Sequence, residues 1–227
     1  MDLEEHYDNL YKESIKKIKV GDYQTDKIID SSIDNRFGIT LLIRPASPIK
    51  AKIQEFLNYL KSIDPNQYYY PSSDIHITVL SIISCYEGFE LSRISIEDYV
   101  KVIKESISGL ESFDIQFKGI TGSTSCIMVQ GFFENDSLNE TRNRLKINFR
   151  NTNLEQSIDS RYLIQTAHAT IVRFRNELLE PKEYIRLLDR FRDYDFGTFK
   201  VDSFELVYND WYQRNKYVQH LCKFELE

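Results

Sequence analysis

Two short stretches of this chain set a histidine and a threonine two residues apart at the head of an apolar run. They are His76-Ile77-Thr78-Val79 and His168-Ala169-Thr170-Ile171. In an extended strand, residues i and i+2 project to one face, so each pair presents an imidazole beside a hydroxyl. Imidazole titrates near neutral pH and serves as proton acceptor or donor. Threonine hydroxyls donate hydrogen bonds to non-bridging phosphate oxygens. Two such pairs facing one another across a cleft suit a phosphoester. One neutral imidazole would deprotonate water or a ribose hydroxyl, and the other, protonated, would donate to the departing oxygen. The hydroxyls would hold the phosphorus between them. No metal or other cofactor is required by this scheme. One His-x-Thr match alone is a weak signal, but here two of only four histidines carry it.

The elements that must position these pairs are legible from periodicity. Residues 3–20 space Leu3, Tyr7, Leu10, Ile15 and Ile18 as one helical face. Residues 21–34 are polar and read as a connector. A strand over 37–43 ends at Arg44-Pro45, and a helix with Pro48 near its start carries Ile53, Phe56, Leu57 and Leu60 on one side. Then come a strand over 75–83, a helix over 96–110, and strands over 113–120 and 125–132. A helix over 137–149, a strand over 164–174 and a helix over 181–192 follow. Strands near 198–208 and 216–226 end the series. The second half echoes the first: strand, helix, His-x-Thr strand, helix, strand. The histidines are 92 residues apart, and the strand over 113–117 finds its counterpart near 199–204. The expected fold is α+β and bilobal, a pseudo-twofold duplication in which each lobe is an antiparallel-leaning sheet flanked by helices, with a central cleft. Residues 1–34 form an N-terminal helical extension and connector. Residues 35–227 form a single domain of interleaved lobes, with halves of roughly 35–122 and 123–227.

Asp74-Ile75-His76-Ile77-Thr78-Val79 and Ala167-His168-Ala169-Thr170-Ile171-Val172-Arg173 both fit the H-x-[TS]-apolar motif. On these motifs, residues 35–226 resemble the 2H phosphoesterase superfamily, the 2′-5′ RNA ligase and cyclic phosphodiesterase-like group. The resemblance implies a bilobal fold whose motifs face one cleft. It implies metal-independent action on 2′,3′-cyclic phosphates or related 2′-linked phosphodiesters. By that carry-over His76 and His168 are the acid–base pair, and Thr78 and Thr170 bind phosphate.

Other residues are candidates for substrate contact. Tyr69 and Tyr70 precede the turn into the first motif strand and read first as plain loop or core aromatics, with stacking on a nucleobase as the functional alternative; Tyr208, Trp211 and Tyr212 on a late turn read the same way. Arg173 follows the second motif, although strict alternation turns it away from His168. The basic stretch Arg142, Arg144, Lys146 and Arg150 reads by default as a solvated helix face. His6 and His220 have no accompanying motif.

Composition narrows the partners. A net charge of −6 disfavours long duplex nucleic acid and leaves a small nucleotide or an RNA terminus open. Cys85, Cys126 and Cys222 form no C-x-x-C pair, so neither a disulfide framework nor a zinc site is expected. The acidic start lacks a secretory pattern, and no apolar run approaches the ~20 residues of a membrane span. The expectation is a soluble, cytoplasmic protein. Serine-hydrolase, P-loop and zincin motifs are absent from the sequence. The reading is a metal-independent phosphodiesterase. A non-catalytic module binding cyclic nucleotides or RNA ends, and an RNA end ligase, are its alternatives.

Overall fold

The computed structural model describes residues 2–133, 135–160 and 163–227. Helix α1 (Leu3–Lys19) opens at Asp2, whose carboxylate accepts from the backbone N–H groups of Glu4 and Glu5. Glu4 and Glu5 in its first turn and Lys16, Lys17 and Lys19 in its last both complement the helix dipole. Tyr7, Tyr11, Ile15 and Ile18 make its buried stripe. The strands and helices that follow are β1 (Arg36–Ile43), α2 (Ser47–Ile63), β2 (Tyr68–Tyr69), β3 (Ile77–Glu87), α3 (Ile96–Ile107), β4 (Phe113–Gly122) and β5 (Cys126–Phe132). The remainder are α4 (Ser137–Arg150), β6 (Ala169–Arg173), α5 (Pro181–Arg190), β7 (Asp195–Val201), β8 (Ser203–Asp210) and β9 (Gln219–Glu225).

These strands form two sheets in which every paired neighbour is antiparallel. One has the order β3-β1-β8-β9 and the other β2-β6-β5-β4-β7. Set side by side, β3-β1-β8-β9 corresponds place by place to β6-β5-β4-β7. The two motif strands, β3 and β6, therefore hold equivalent positions. The repeat is exchanged rather than merely stacked. β4, from the first half, joins the second sheet, while β8 and β9 return to the first. Helices follow suit: α2 and α5 pack together with α2 against β7, and α3 and α4 pack together against β9 and β3. Each sheet is thus covered by one helix from each half, and neither half encloses a core alone.

Two expectations about strands need correction. The strand expected near 198–208 is two strands, β7 and β8, broken at Asp202 and lying in different sheets. The counterpart of β4 is accordingly β8, which begins at Ser203, rather than a segment straddling 199–204. The strand expected over 164–174 is ordered as a strand only over Ala169–Arg173, because residues 163–168 turn to deliver a histidine instead of pairing. Residues 21–34 are tied in as well: Gln24 and Asp26 donate backbone N–H bonds to Thr124 and Phe174 carbonyls, and Ile29 is buried.

Candidate active site

Neither motif histidine lies within its strand. His76 precedes β3 and His168 precedes β6 by one residue, and both line the same cleft with Thr78 and Thr170. All four side chains are half-buried. Each imidazole has its Nδ1 held from two residues back. His76 Nδ1 lies 2.8 Å from the Asp74 carbonyl oxygen, and His168 Nδ1 lies 2.6 Å from the Thr166 hydroxyl. A carbonyl only accepts, so neutral His76 carries its hydrogen on Nδ1 and leaves Nε2 bare. With Nδ1 occupied, Nε2 is in each ring the nitrogen left for the cleft. Burial, reinforced by the Arg44 charge, pushes the His76 pKa down to about 3. Burial and the Arg142 charge push His168 down to about 4. Among the protein's own groups, both rings are neutral near pH 7.

Irregular strand pairing decides what else reaches the cleft. Leu41 pairs with Leu80 but Leu42 pairs with Thr78, so Val79 is an extra residue in β3. Met128 pairs with Thr170 but Ile127 pairs with Val172, so Ile171 is the matching extra residue in β6. A bulge resets the two-residue alternation. Thr78 and Ser81 therefore face the same side, as do Thr170 and Arg173, and all four line the cleft. A second irregularity skips Ile82 and brings Ser84 to the same wall. The expectation that Arg173 points away from the motif fails for this reason. Three-residue spacing of hydroxyls, Thr78, Ser81 and Ser84, within an otherwise apolar strand is the sequence signal that marks this wall.

Arg142 is not on a solvated helix face. It is 2% exposed, and its guanidinium donates to the carbonyl oxygens of Val79 (3.0 Å), Thr78 (3.0 Å) and Thr166 (2.8 Å). One buried cation from α4 thereby pins both motif segments. Lys146, one turn on, is also buried and pairs with Asp159 at 3.0 Å, leaving Arg144 and Arg150 as the exposed members of that stretch.

Tyr70 and Arg173 meet in the cleft wall. Arg173 Nε donates to the Tyr70 hydroxyl at 2.9 Å, and its guanidinium stands 5.6 Å from the Tyr212 ring centre. Trp211, Gln213, Asn209 and Thr40 line the cleft on the side of β1 and β8, and Cys85 joins from the far end of β3. Tyr69 is not brought to the cleft. Alternation turns it to the opposite face from Tyr70, half-buried against the core, where its hydroxyl donates to the Asp64 carbonyl and its ring lies near Lys61. Tyr208 stacks on Phe37, away from the site. Among the described residues no cluster of His, Cys, Asp or Glu is arranged to hold a metal ion, no helix is long and apolar enough to cross a membrane, and none of the three cysteines is in a disulfide.

Residues 39–225 match the family described as the AKAP7 2′5′ RNA ligase-like domain. The chain belongs to the 2H phosphoesterase superfamily. Several solved structures share its fold at low identity. TT0787 of Thermus thermophilus has a TM-score of 0.59 at 14% identity, covering 83% of this chain and 97% of that one. E. coli LigT complexed with 3′-AMP has 0.56 at 10%, covering 84% and 98%. A conserved protein of unknown function, ATU0111 from Agrobacterium tumefaciens, has 0.59 at 13%, covering 92% and 98%. No curated protein matches the sequence significantly. As a 2H phosphoesterase the chain holds both motifs at equivalent places of its duplicated sheets, while α1 lies ahead of the matched residues.

Proposed function

We propose that this protein hydrolyses a 2′,3′-cyclic phosphate or a 2′-linked phosphodiester in a small nucleotide or RNA end. The observation that carries this reading is the pair of half-buried imidazoles with Nδ1 tied off, lining one cleft with two threonine hydroxyls. One neutral imidazole takes a proton from water as the water oxygen bonds to phosphorus. The other, as imidazolium, gives its proton to the ribose oxygen as the P–O bond breaks, leaving a monoester. Thr78 and Thr170 hydrogen-bond the non-bridging oxygens and keep phosphorus between the rings. The protein's own groups do not favour an imidazolium, because burial depresses both rings. An arriving phosphate supplies the negative charge that favours one, so acid and substrate come together.

Arg173 and Ser81, delivered by the two bulges, extend the anion-binding wall, and Tyr70 fixes Arg173 by accepting from its Nε. Trp211 offers an aromatic face at the cleft for a nucleobase. LigT, which shares the fold, has been crystallised with 3′-AMP and with phosphate. The test is turnover of a panel of 2′,3′-cyclic nucleotides and 2′-5′-linked dinucleotides by wild type and by the His76→Ala/His168→Ala double variant. Turnover lost in the double variant supports the reading. Equal rates in both overturn it in favour of a module that binds without reacting, and joining of RNA ends would mark a ligase using the same groups.

A further inference from the structure

Each motif histidine is held by the residue two places before it, and each of those residues uses both its main-chain and its side-chain oxygen. Thr166 sets its hydroxyl against His168 and its carbonyl against the buried Arg142 guanidinium. Asp74 does the reverse. Its carbonyl takes His76 Nδ1 at 2.8 Å, and its carboxylate reaches an anchor elsewhere.

That anchor is the turn after β8. Asp74 is 3% exposed, and its Oδ1 accepts from the backbone N–H of Asn215 at 3.1 Å and from the Ser73 hydroxyl at 2.7 Å. The turn is itself firm. The Asp210 carboxylate accepts from Arg214 N–H at 2.8 Å and Arg214 Nε at 2.6 Å, and Tyr217 N–H closes on the Arg214 carbonyl at 2.8 Å. Asp74 lies between β2 and β3, outside the ladders that fix carbonyls elsewhere. Its N–H donates to the Pro71 carbonyl at 3.0 Å, and the next side chain, Ile75, is fully buried. With N–H and carboxylate tied and the peptide planes rigid, the Asp74 carbonyl is held in one direction, on His76 Nδ1.

We propose that Asp74 is a positioning residue for His76: its carboxylate, bonded across to Asn215, holds its own carbonyl on Nδ1 and so keeps Nε2 free of hydrogen for the cleft. The turn that brings Trp211 and Gln213 to the cleft is thereby tied to the same residue that sets the histidine. The inference rests on the reading of His76 as a reacting group, and its test separates the two.

The measurement is ¹⁵N NMR of the imidazoles in the full-length protein at pH 7, with turnover of a 2′,3′-cyclic nucleotide alongside. Wild-type His76 is expected as the Nδ1–H tautomer. Asp74→Ala frees the carbonyl, so His76 shifts towards a mixture with Nε2–H while His168 is unchanged. kcat falls roughly 10-fold with KM within about twofold, the low end for groups that orient a working imidazole. Asp74→Asn keeps an accepting oxygen and restores both signal and rate. Asn215→Pro removes only the donor, at the second place of the Arg214–Tyr217 turn, where proline is favoured. It moves His76 in the same direction and decides the matter should Asp74→Ala not fold. Asp64→Ala empties another buried turn carboxylate, which accepts from Gln67 Nε2 at 2.9 Å and Leu179 N–H at 3.1 Å, and leaves the His76 signal alone. Nε2–H in wild type, an unmoved His76 signal in Asp74→Ala or Asn215→Pro, the same shift in Asp64→Ala, or a shifted tautomer with unchanged kcat would each overturn the proposal. If wild type turns over no cyclic nucleotide, the His76 tautomers still decide the positioning, and only the phosphodiesterase reading fails.

Discussion

Ser81 and Arg173 occupy equivalent places in the duplicated sheets, each three residues beyond a motif threonine and each brought to the cleft by a bulge, at Val79 and at Ile171. Their chemistry differs although their positions match: one wall presents a neutral hydroxyl and the other a guanidinium. The lining is therefore asymmetric, with its one guanidinium among the described residues on the β6 side.

On the proposed function, that asymmetry assigns Arg173 the principal anion contact beyond the motifs. Arg173→Met is expected to raise KM for a cyclic nucleotide about 10-fold or more with a smaller change in kcat, as befits loss of a charge-assisted hydrogen bond. Ser81→Ala should change KM by no more than about threefold. Steady-state kinetics on the two variants checks this, and equal effects would overturn that assignment.

Arg142 ties Thr78, Val79 and Thr166 together from the interior. Arg142→Met leaves three buried carbonyl oxygens without their donor. A loss of about 2–5 kcal/mol in urea unfolding is expected, the range for stripping partners from buried polar groups. A loss under about 1 kcal/mol would show that the two motif segments hold their places without it.

Titration of the two histidines should depend on the ligand. In the empty protein both signals are expected to stay neutral down to pH 5, since His76 and His168 lie near 3 and 4. Saturating inorganic phosphate adds an anion beside them and must move at least one pKa upward. NMR titration with and without phosphate measures it. Identical curves would mean that phosphate does not sit between the rings.

The same depression sets the sign of acid sensitivity. Above about pH 6.5 the rings are neutral in both the folded and the unfolded chain, and their contribution to stability is fully present. Between about 6.5 and 4 the unfolded chain binds protons that the folded one refuses, so stability falls as pH falls. Urea unfolding across that window should give a shallower slope for His76→Gln/His168→Gln than for wild type.

The motifs and the duplication are legible in the sequence because they rest on two-residue and helical periodicity. Thr78 and Thr170, and the apolar faces of α1 and α2, are of this kind. Ser81 and Arg173 are not, because a bulge changes which face a residue takes and leaves no composition mark of its own. Arg142 escapes the pattern for a related reason. Its surroundings in sequence are polar (Glu140, Thr141, Asn143, Arg144), and only the meeting of α4 with both motif segments supplies the three carbonyls that let a guanidinium be buried. Tyr69 and Tyr70 are indistinguishable by type, and the extended chain at the end of β2 turns Tyr70 to the cleft and Tyr69 to Asp64. The exchange of β4 with β8 and β9 between sheets is long-range pairing, which local pattern does not encode.

The central claim is that His76 and His168 together break a phosphodiester with the protein's own groups. Its most direct test follows a 2′,3′-cyclic nucleotide by ³¹P NMR in the presence of EDTA, using wild type, His76→Ala and His168→Ala. Wild type is predicted to convert the cyclic phosphate to a monoester at a rate EDTA does not change, and each single variant to be slower by about 10²-fold or more. Conversion that EDTA abolishes, or that survives in either variant at the wild-type rate, would contradict it.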